Sequence, residues 1–241
     1  MNSFATRTVR DLALEIPGAT RVFEKSGIDY CCGGQRSLAD ACAKAEVTIE
    51  EVMKSLELAN CSHSAAEEPD FLTATLADLI DHIVAKHHLF TSNEIERLRG
   101  LMNKVCEVHG QNHPELETLR TLFETLGLEL GPHMMKEERV LFPYVKGMEA
   151  AVREERLIMT PPFGTVANPV RMMMLEHDSA GELLKQMRRL TSDYSAPSDA
   201  CISYQTLYQA LDAFEKDLHQ HIHLENNILF PRAVEMESFT R

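Results

Sequence analysis

The sequence predicts an all-α protein, with a small N-terminal helical domain followed by an up-and-down four-helix bundle. Three observations carry this expectation. Strand-like alternation is nowhere convincing along the 241 residues, long segments repeat apolar residues at helical spacing, and one stretch is written twice. His133-Met-Met-Lys-Glu137-Glu-Arg-Val-Leu141-Phe142-Pro143 and His221-Ile-His-Leu-Glu225-Asn-Asn-Ile-Leu229-Phe230-Pro231 share a histidine, a glutamate four residues on and a Leu-Phe-Pro ending. His221 stands 88 residues after His133, the length of a helical hairpin and its connection.

Residues 1–60 read as short helices over 8–15, 17–26 and 37–45, with a fourth from Thr48. Pro17 suits a first helical turn, and Ser37 precedes the third helix. Thr48 with Glu51 forms a capping box, and Val47 with Val52 a hydrophobic staple. Between the second and third helices lies Gly27-Ile-Asp-Tyr30-Cys31-Cys32-Gly33-Gly34. Adjacent cysteines are poorly placed to bond each other, because neighbouring Cα atoms are about 3.8 Å apart and disulfides usually need about 4.4 Å or more. Cys31 and Cys32 are either a reactive or metal-handling thiol pair in a glycine-flanked loop, or two small buried residues in a turn. Cys42, Cys61, Cys106 and Cys201 lack the close spacing of a zinc site and read as structural.

Small, polar, proline-ended residues 61–70 predict a linker. From residue 71 to 241 the pattern becomes four long helical segments, over 72–107, 115–155, 168–192 and 198–236. Gly131-Pro132 interrupts the second of these just before His133, which predicts a bend or a helix in two pieces.

The repeated spacing carries the chemistry. Residues i and i+4 of an α-helix lie on one face, so an imidazole and a carboxylate there point into one space. Such a donor pair suits iron, manganese or zinc better than calcium or magnesium. The bare pair also arises at His63–Glu67 in the polar linker and at His113–Glu117 around Pro114; it is the repetition with the shared ending that singles out His133, Glu137, His221 and Glu225. From His88 to His133 is 45 residues and from His177 to His221 is 44, so His88 and His177 are the repeat-equivalent donors on the first and third helices. Four imidazoles and two bridging carboxylates would serve two metals, leaving positions for oxo, hydroxo or a small diatomic. Glu-x-x-His, the signature of ferritin-type bundles, does not occur in the chain.

Other histidines fit less well. His219 and His223 flank His221 at i±2, and His87 is one residue off the matching face. His82, six residues before His88, reads first as an ordinary helix histidine and otherwise as a reserve ligand or a group supporting the ligands, Glu176 as a solvated carboxylate or a guide for protons or substrate, and Met172-Met173-Met174 as core packing rather than a copper site.

Composition bounds the rest. There are 24 Lys+Arg against 37 Asp+Glu, a formal charge of −13 without a basic run, which argues against nucleic acid. No apolar stretch is long enough to span a membrane, and residues 1–10 lack the apolar core of a secretion signal. The expectation is a cytoplasmic protein with its cysteines reduced.

Asp29-Tyr30-Cys31-Cys32-Gly33-Gly34, followed by a histidine-rich bundle with His133-Met-Met-Lys-Glu137-Glu and Leu224-Glu225-Asn-Asn-Ile-Leu-Phe-Pro231, resembles the iron–sulfur cluster repair proteins, also called repair of iron centres. The resemblance covers nearly the whole chain. It implies an N-terminal domain bearing the Cys-Cys pair, joined to a hemerythrin-like bundle with a non-haem di-iron centre, oxo- or hydroxo-bridged. The ligands it implies are His88, His133, His177 and His221, with Glu137 and Glu225 bridging. It further implies a cytoplasmic protein, a homodimer in some members, that acts under nitrosative and oxidative stress. Its partners would be damaged iron–sulfur proteins, with nitric oxide or oxygen as small ligands. Iron donation with Cys31 and Cys32 as relaying thiolates, turnover of nitric oxide or peroxide, and sensing of a diatomic are the three modes such a site allows, with a zinc hydrolase more distant.

Overall fold

The computed structural model describes residues 4–62, 71–158 and 160–238. They are helical, with no strand among the described residues and one isolated antiparallel bridge, Thr8 to Ser37. None of their helices is long and apolar enough to cross a membrane. Two compact units make up the chain: Met1–Thr75 with His219–Arg232, and Leu76–Leu218 with Ala233–Arg241.

In the first unit, α1 (Val9–Glu15), α2 (Ala19–Lys25), α3 (Leu38–Lys44) and α4 (Ile49–Ser62) fall close to the expected segments. Thr8 and Ser37 cap α1 and α3, their hydroxyls accepting the backbone N–H of Asp11 and Asp40, as N-cap residues do. Pro17 does not open α2; the helix starts after Gly18, whose left-handed φ of 78° turns the chain into it. Gly27, at φ 65°, ends α2, and Ile28 N–H reaches back to Phe23 O at 2.9 Å. That is a Schellman closure, which favours glycine because a Cβ is strained there. Leu12, Phe23, Leu38 and Leu56 are fully buried in the core of these helices. Residues 63–70 of the expected linker lie outside the described residues, and residues 61–62 end α4.

The second unit begins with α5 (Leu76–His82), whose first N–H groups, Leu76 and Ala77, donate to Glu149 at 2.7 and 2.9 Å. The four long rods of the bundle run over 76–109, 115–153, 167–190 and 202–238. Three of them contain a turn of π-helix, at Ile83–His88, Glu137–Leu141 and Glu225–Leu229. These turns separate α5 from α6 (Leu89–His109), α7 (Glu115–Lys136) from α8 (Phe142–Arg153), and α10 (Ile202–Leu224) from α11 (Phe230–Ser238); α9 (Ala167–Leu190) is uninterrupted. Of the last rod, His219–Arg232 belong to the first unit.

Pro132 leaves α7 in one piece, so the expected break is absent there. The irregularity falls five residues later, at Glu137. The Leu-Phe-Pro ending explains its position. A proline has no N–H for the carbonyl four residues back, so Pro231 leaves Asn227 O to another donor, and the ladder widens to a bond from Phe230 N–H to Glu225 O. Arg10 takes the carbonyl that Pro231 cannot, its guanidinium donating to Asn227 O at 2.9 and 3.2 Å. Pro143 stands at the equivalent place after Glu137, where Phe142 N–H bonds Glu137 O.

Of the methionine run, Met173 is buried, whereas Met172 and Met174 are 51% and 43% exposed. One of the three, not all, is core packing.

Candidate metal centre

The π turns matter because each one carries a buried donor at its edge. His88 closes the first, Glu137 opens the second and Glu225 opens the third. An inserted residue rotates the helix beyond it, which presents the donor while the rod continues. His88, His133, Glu137, His177, His221 and Glu225 are each 2% exposed or less. Burying so many ionisable groups together is costly unless they are paired or hold a metal.

Their donor atoms form two groups. Those of His88, Glu137, His221 and Glu225 lie within 4.8 Å of one another, and so do those of His133, Glu137, His177 and Glu225. Both carboxylates therefore belong to both groups, and each group adds its own two imidazoles. His133 Nε2 and His177 Nε2 face each other at 3.0 Å, close to the separation of neighbouring ligands on an octahedral ion with bonds of about 2.1 Å. His88 Nε2 and His133 Nε2 stand 3.5 and 3.4 Å from Glu137 Oε2, and His221 Nε2 stands 3.1 Å from Glu225 Oε1.

Two carboxylates orient the rings from behind. His88 Nδ1–H donates to Glu138 at 2.8 Å, and His133 Nδ1–H donates to Glu176 at 2.8 Å. Fixing the proton on Nδ1 turns the Nε2 lone pair toward the donor group and makes it a better ligand. Burial pushes the Glu176 carboxyl up, but its hydrogen bonds with Lys136 and His133 outweigh this and hold it below its ordinary value. Glu176 is thus tied to His133 rather than loosely solvated, and Glu138 is a partner of His88 that sequence spacing did not single out. Phe142 stacks on His88 with ring centroids 5.7 Å apart, covering the imidazole with apolar surface.

The remaining histidines have other work. His87 bonds Asp217 at 3.0 Å, and His219 bonds Glu24 at 3.0 Å. His82 is partly buried, its ring 5.6 Å from that of His87, and belongs to neither donor group. Burial lowers His223 to about 4. It is a neutral ring whose Nδ1 accepts from Asn227 Nδ2 at 2.9 Å.

Cys31 is buried and Cys32 partly buried, with sulfurs 3.8 Å apart, against about 2.04 Å in a disulfide. The bond with Cys32, then burial, pushes the Cys31 thiol well up. Asp29 Oδ1 accepts the N–H groups of Cys32 and Gly33 at 3.0 and 2.9 Å. A Cβ at Gly33 would meet Asp29 O at 2.8 Å, and one at Gly34 would meet Tyr30 O at 3.0 Å; the glycines admit the loop's own backbone. Asn226 and Asn227, on the π turn opened by Glu225, donate to Cys31 O at 3.3 Å and Tyr30 O at 3.0 Å.

Cys201 departs from the structural role expected of it. It is exposed, and His109 Nε2 lies 3.1 Å from its sulfur; that bond lowers the thiol. Lowered thiols react faster near neutral pH because more thiolate is present. Iodoacetamide at pH 7 should therefore modify Cys201 before Cys31, Cys32, Cys42 or Cys106, and His109→Gln should slow it several-fold, as peptide mass mapping of the alkylated protein would show. First modification at Cys42 or Cys106 would contradict the geometry.

Residues 79–233 match the hemerythrin HHE cation binding domain, and residues 5–60 match a domain of unknown function, DUF542. A probable iron-sulfur cluster repair protein of Haemophilus influenzae is 35% identical over 232 residues, covering 96% of this chain and 98% of that protein. The iron-sulfur cluster repair protein YtfE of Citrobacter koseri is 36% identical over 233 residues, with 96% and 98% covered, and that of Escherichia coli O17:K52:H18 is 35% identical with the same coverage. A buried set of imidazoles and carboxylates suited to a metal, on a chain matched along almost its full length, belongs to the iron–sulfur cluster repair proteins with a hemerythrin-type cation-binding domain.

Proposed function

We propose that the protein restores iron–sulfur clusters damaged by nitrosative or oxidative stress, acting in the cytoplasm on damaged iron–sulfur proteins and donating iron to them. In this reading residues 1–60 form a domain bearing the thiol pair, residues 61–70 a linker, and residues 71–241 a hemerythrin-like domain, the whole able to pair as a homodimer. His88 and His221 would serve one iron, His133 and His177 the other, and Glu137 and Glu225, which belong to both donor groups, would be shared between them. The observation that supports this most is the sharing of both carboxylates by the two donor groups. Nitrogen and oxygen donors of this kind suit ferrous and ferric iron.

A di-iron centre held by these residues would supply redox chemistry and could take nitric oxide or oxygen as small ligands. The chain's own residues set its surroundings. Glu138 and Glu176 keep the Nδ1 protons of His88 and His133, so those rings offer Nε2 and hold their orientation. Phe142 shields one ring from water. Cys31 and Cys32, fastened through Asn226 and Asn227 to the turn that carries Glu225, relay iron or electrons to the client.

The test is recovery of activity by an iron–sulfur dehydratase inactivated with nitric oxide, incubated without oxygen with the iron-loaded protein. Wild type should restore it. Cys31→Ser/Cys32→Ser should keep its iron content and lose the restoration. Full restoration by that variant would remove the thiols from the mechanism, and consumption of nitric oxide over many turnovers without cluster recovery would favour a reductase.

A further inference from the structure

Asp29, Cys31 and Cys32 form a third donor group of their own, with ligand atoms within 4.8 Å of one another. Cys31 Sγ lies 3.8 Å from Cys32 Sγ and 3.5 Å from Asp29 Oδ1. Two thiolates bound to one tetrahedral ion at about 2.3 Å are about 3.8 Å apart, and a carboxylate oxygen at about 2.1 Å lies about 3.6 Å from either sulfur. Two of the three edges that these donors would supply to a tetrahedral site thus already have the required length, and the third pair lies within 4.8 Å. We propose that Asp29, Cys31 and Cys32 bind a single borderline divalent cation of the ferrous or zinc class, as a transfer site separate from the imidazole-rich groups of the bundle.

Three features make the loop a built site. The two thiols are not joined in a disulfide, and their sulfurs stand side by side at 3.8 Å. Asp29 is itself held by the N–H groups of Cys32 and Gly33, and ligating carboxylates are oriented by hydrogen bonds of this kind. The loop's backbone is pinned at Tyr30 O and Cys31 O by Asn227 and Asn226, so little ordering remains to be done on binding. Two sulfurs select against calcium and magnesium. Three ligands, with Cys32 only partly buried, leave the fourth position for water or a client's ligand, which is what an ion in transit requires. Binding is balanced by loss of the two thiol protons to solvent, with no change in oxidation state.

This inference rests on the thiol role proposed above, but it can be tested without asking for repair. The full-length protein, with its bundle iron-loaded and its thiols reduced, is titrated with cobalt(II) in the absence of oxygen. One equivalent should give thiolate-to-cobalt charge-transfer absorption in the near ultraviolet, together with the visible bands of tetrahedral cobalt. Cys31→Ser and Cys32→Ser should each abolish the charge-transfer band at this stoichiometry, while Cys201→Ser should leave it. Asp29→Asn keeps an acceptor for the two N–H groups, so the loop is retained; it should keep the band and weaken cobalt binding about tenfold or more. Iron content, measured in parallel, reports folding and the bundle separately. Absence of the band in wild type, its persistence in Cys31→Ser, its loss in Cys201→Ser, or unchanged affinity in Asp29→Asn would each overturn the site. Loss of cluster repair with the band intact would count against the repair reading alone.

Discussion

Glu137→Ala/Glu225→Ala is expected to empty both metal positions at once. Each carboxylate belongs to both donor groups, so the double change leaves two imidazoles in each and removes the anionic charge that offsets the cations. Metal analysis and iron Mössbauer spectroscopy on protein purified without oxygen should find two spin-coupled irons per chain in wild type and essentially none in the variant. His88→Ala should be milder, because it removes one donor from one group. Two irons retained in the double variant would sink the bridging role, and a single iron or zinc in wild type would sink the paired centre itself.

The same pair of proteins separates metal binding from folding. A ligand that binds only the folded state stabilises it by about 2.7 kcal/mol when present at 100 times its dissociation constant. Chelation should therefore lower the unfolding temperature of wild type and leave that of the double variant where it was.

Much of this centre was legible because the helix period is regular and the chain repeats itself. His133 and Glu137 on one rod, His221 and Glu225 on another, could be chosen by counting four residues, and the near-equal offsets picked His88 over His87. The structure turns His87 to Asp217 and sets His88 in a donor group. The π turns were not legible from a 3.6-residue period, since each inserts a residue that the period does not contain. For two of the three a signal was nevertheless present, as Pro143 and Pro231, which read as the end of a motif and act by withholding an N–H. Glu138 and Glu176 were hidden for another reason. Glu176 meets His133 across 43 residues of sequence, and such pairings between helices leave no periodic trace. Asp29 likewise earns its place only once the loop folds back on it, and the pairing of Cys201 with His109 is spatial.

Glu237→Ala is expected to cause the largest loss of stability outside the centre. Its carboxylate is 5% exposed and accepts from Tyr144 OH at 3.0 Å, from Thr165 Oγ1, and from Val166 N–H at 3.1 and 3.2 Å. Val166 is the N-cap of α9, where an anion also meets the positive end of the helix dipole. A hydrogen bond to a charged group contributes about 1.5–3 kcal/mol, and buried donors deprived of an acceptor add to the cost. Discounting for solvent that would enter the vacated space, the expected loss is about 3 kcal/mol, or roughly 6–12 °C in the midpoint of a thermal scan at this chain length. Glu237→Gln keeps the volume and one acceptor oxygen, and should recover about half of that loss. Neither variant touches a metal donor, so both should retain full iron content at temperatures where they remain folded. A shift of less than about 1 °C for the alanine variant would mean that α9 does not depend on this carboxylate. Iron lost in step with stability would mean instead that His177 and Glu176, both carried on α9, owe their positions to the anchoring of its first turn.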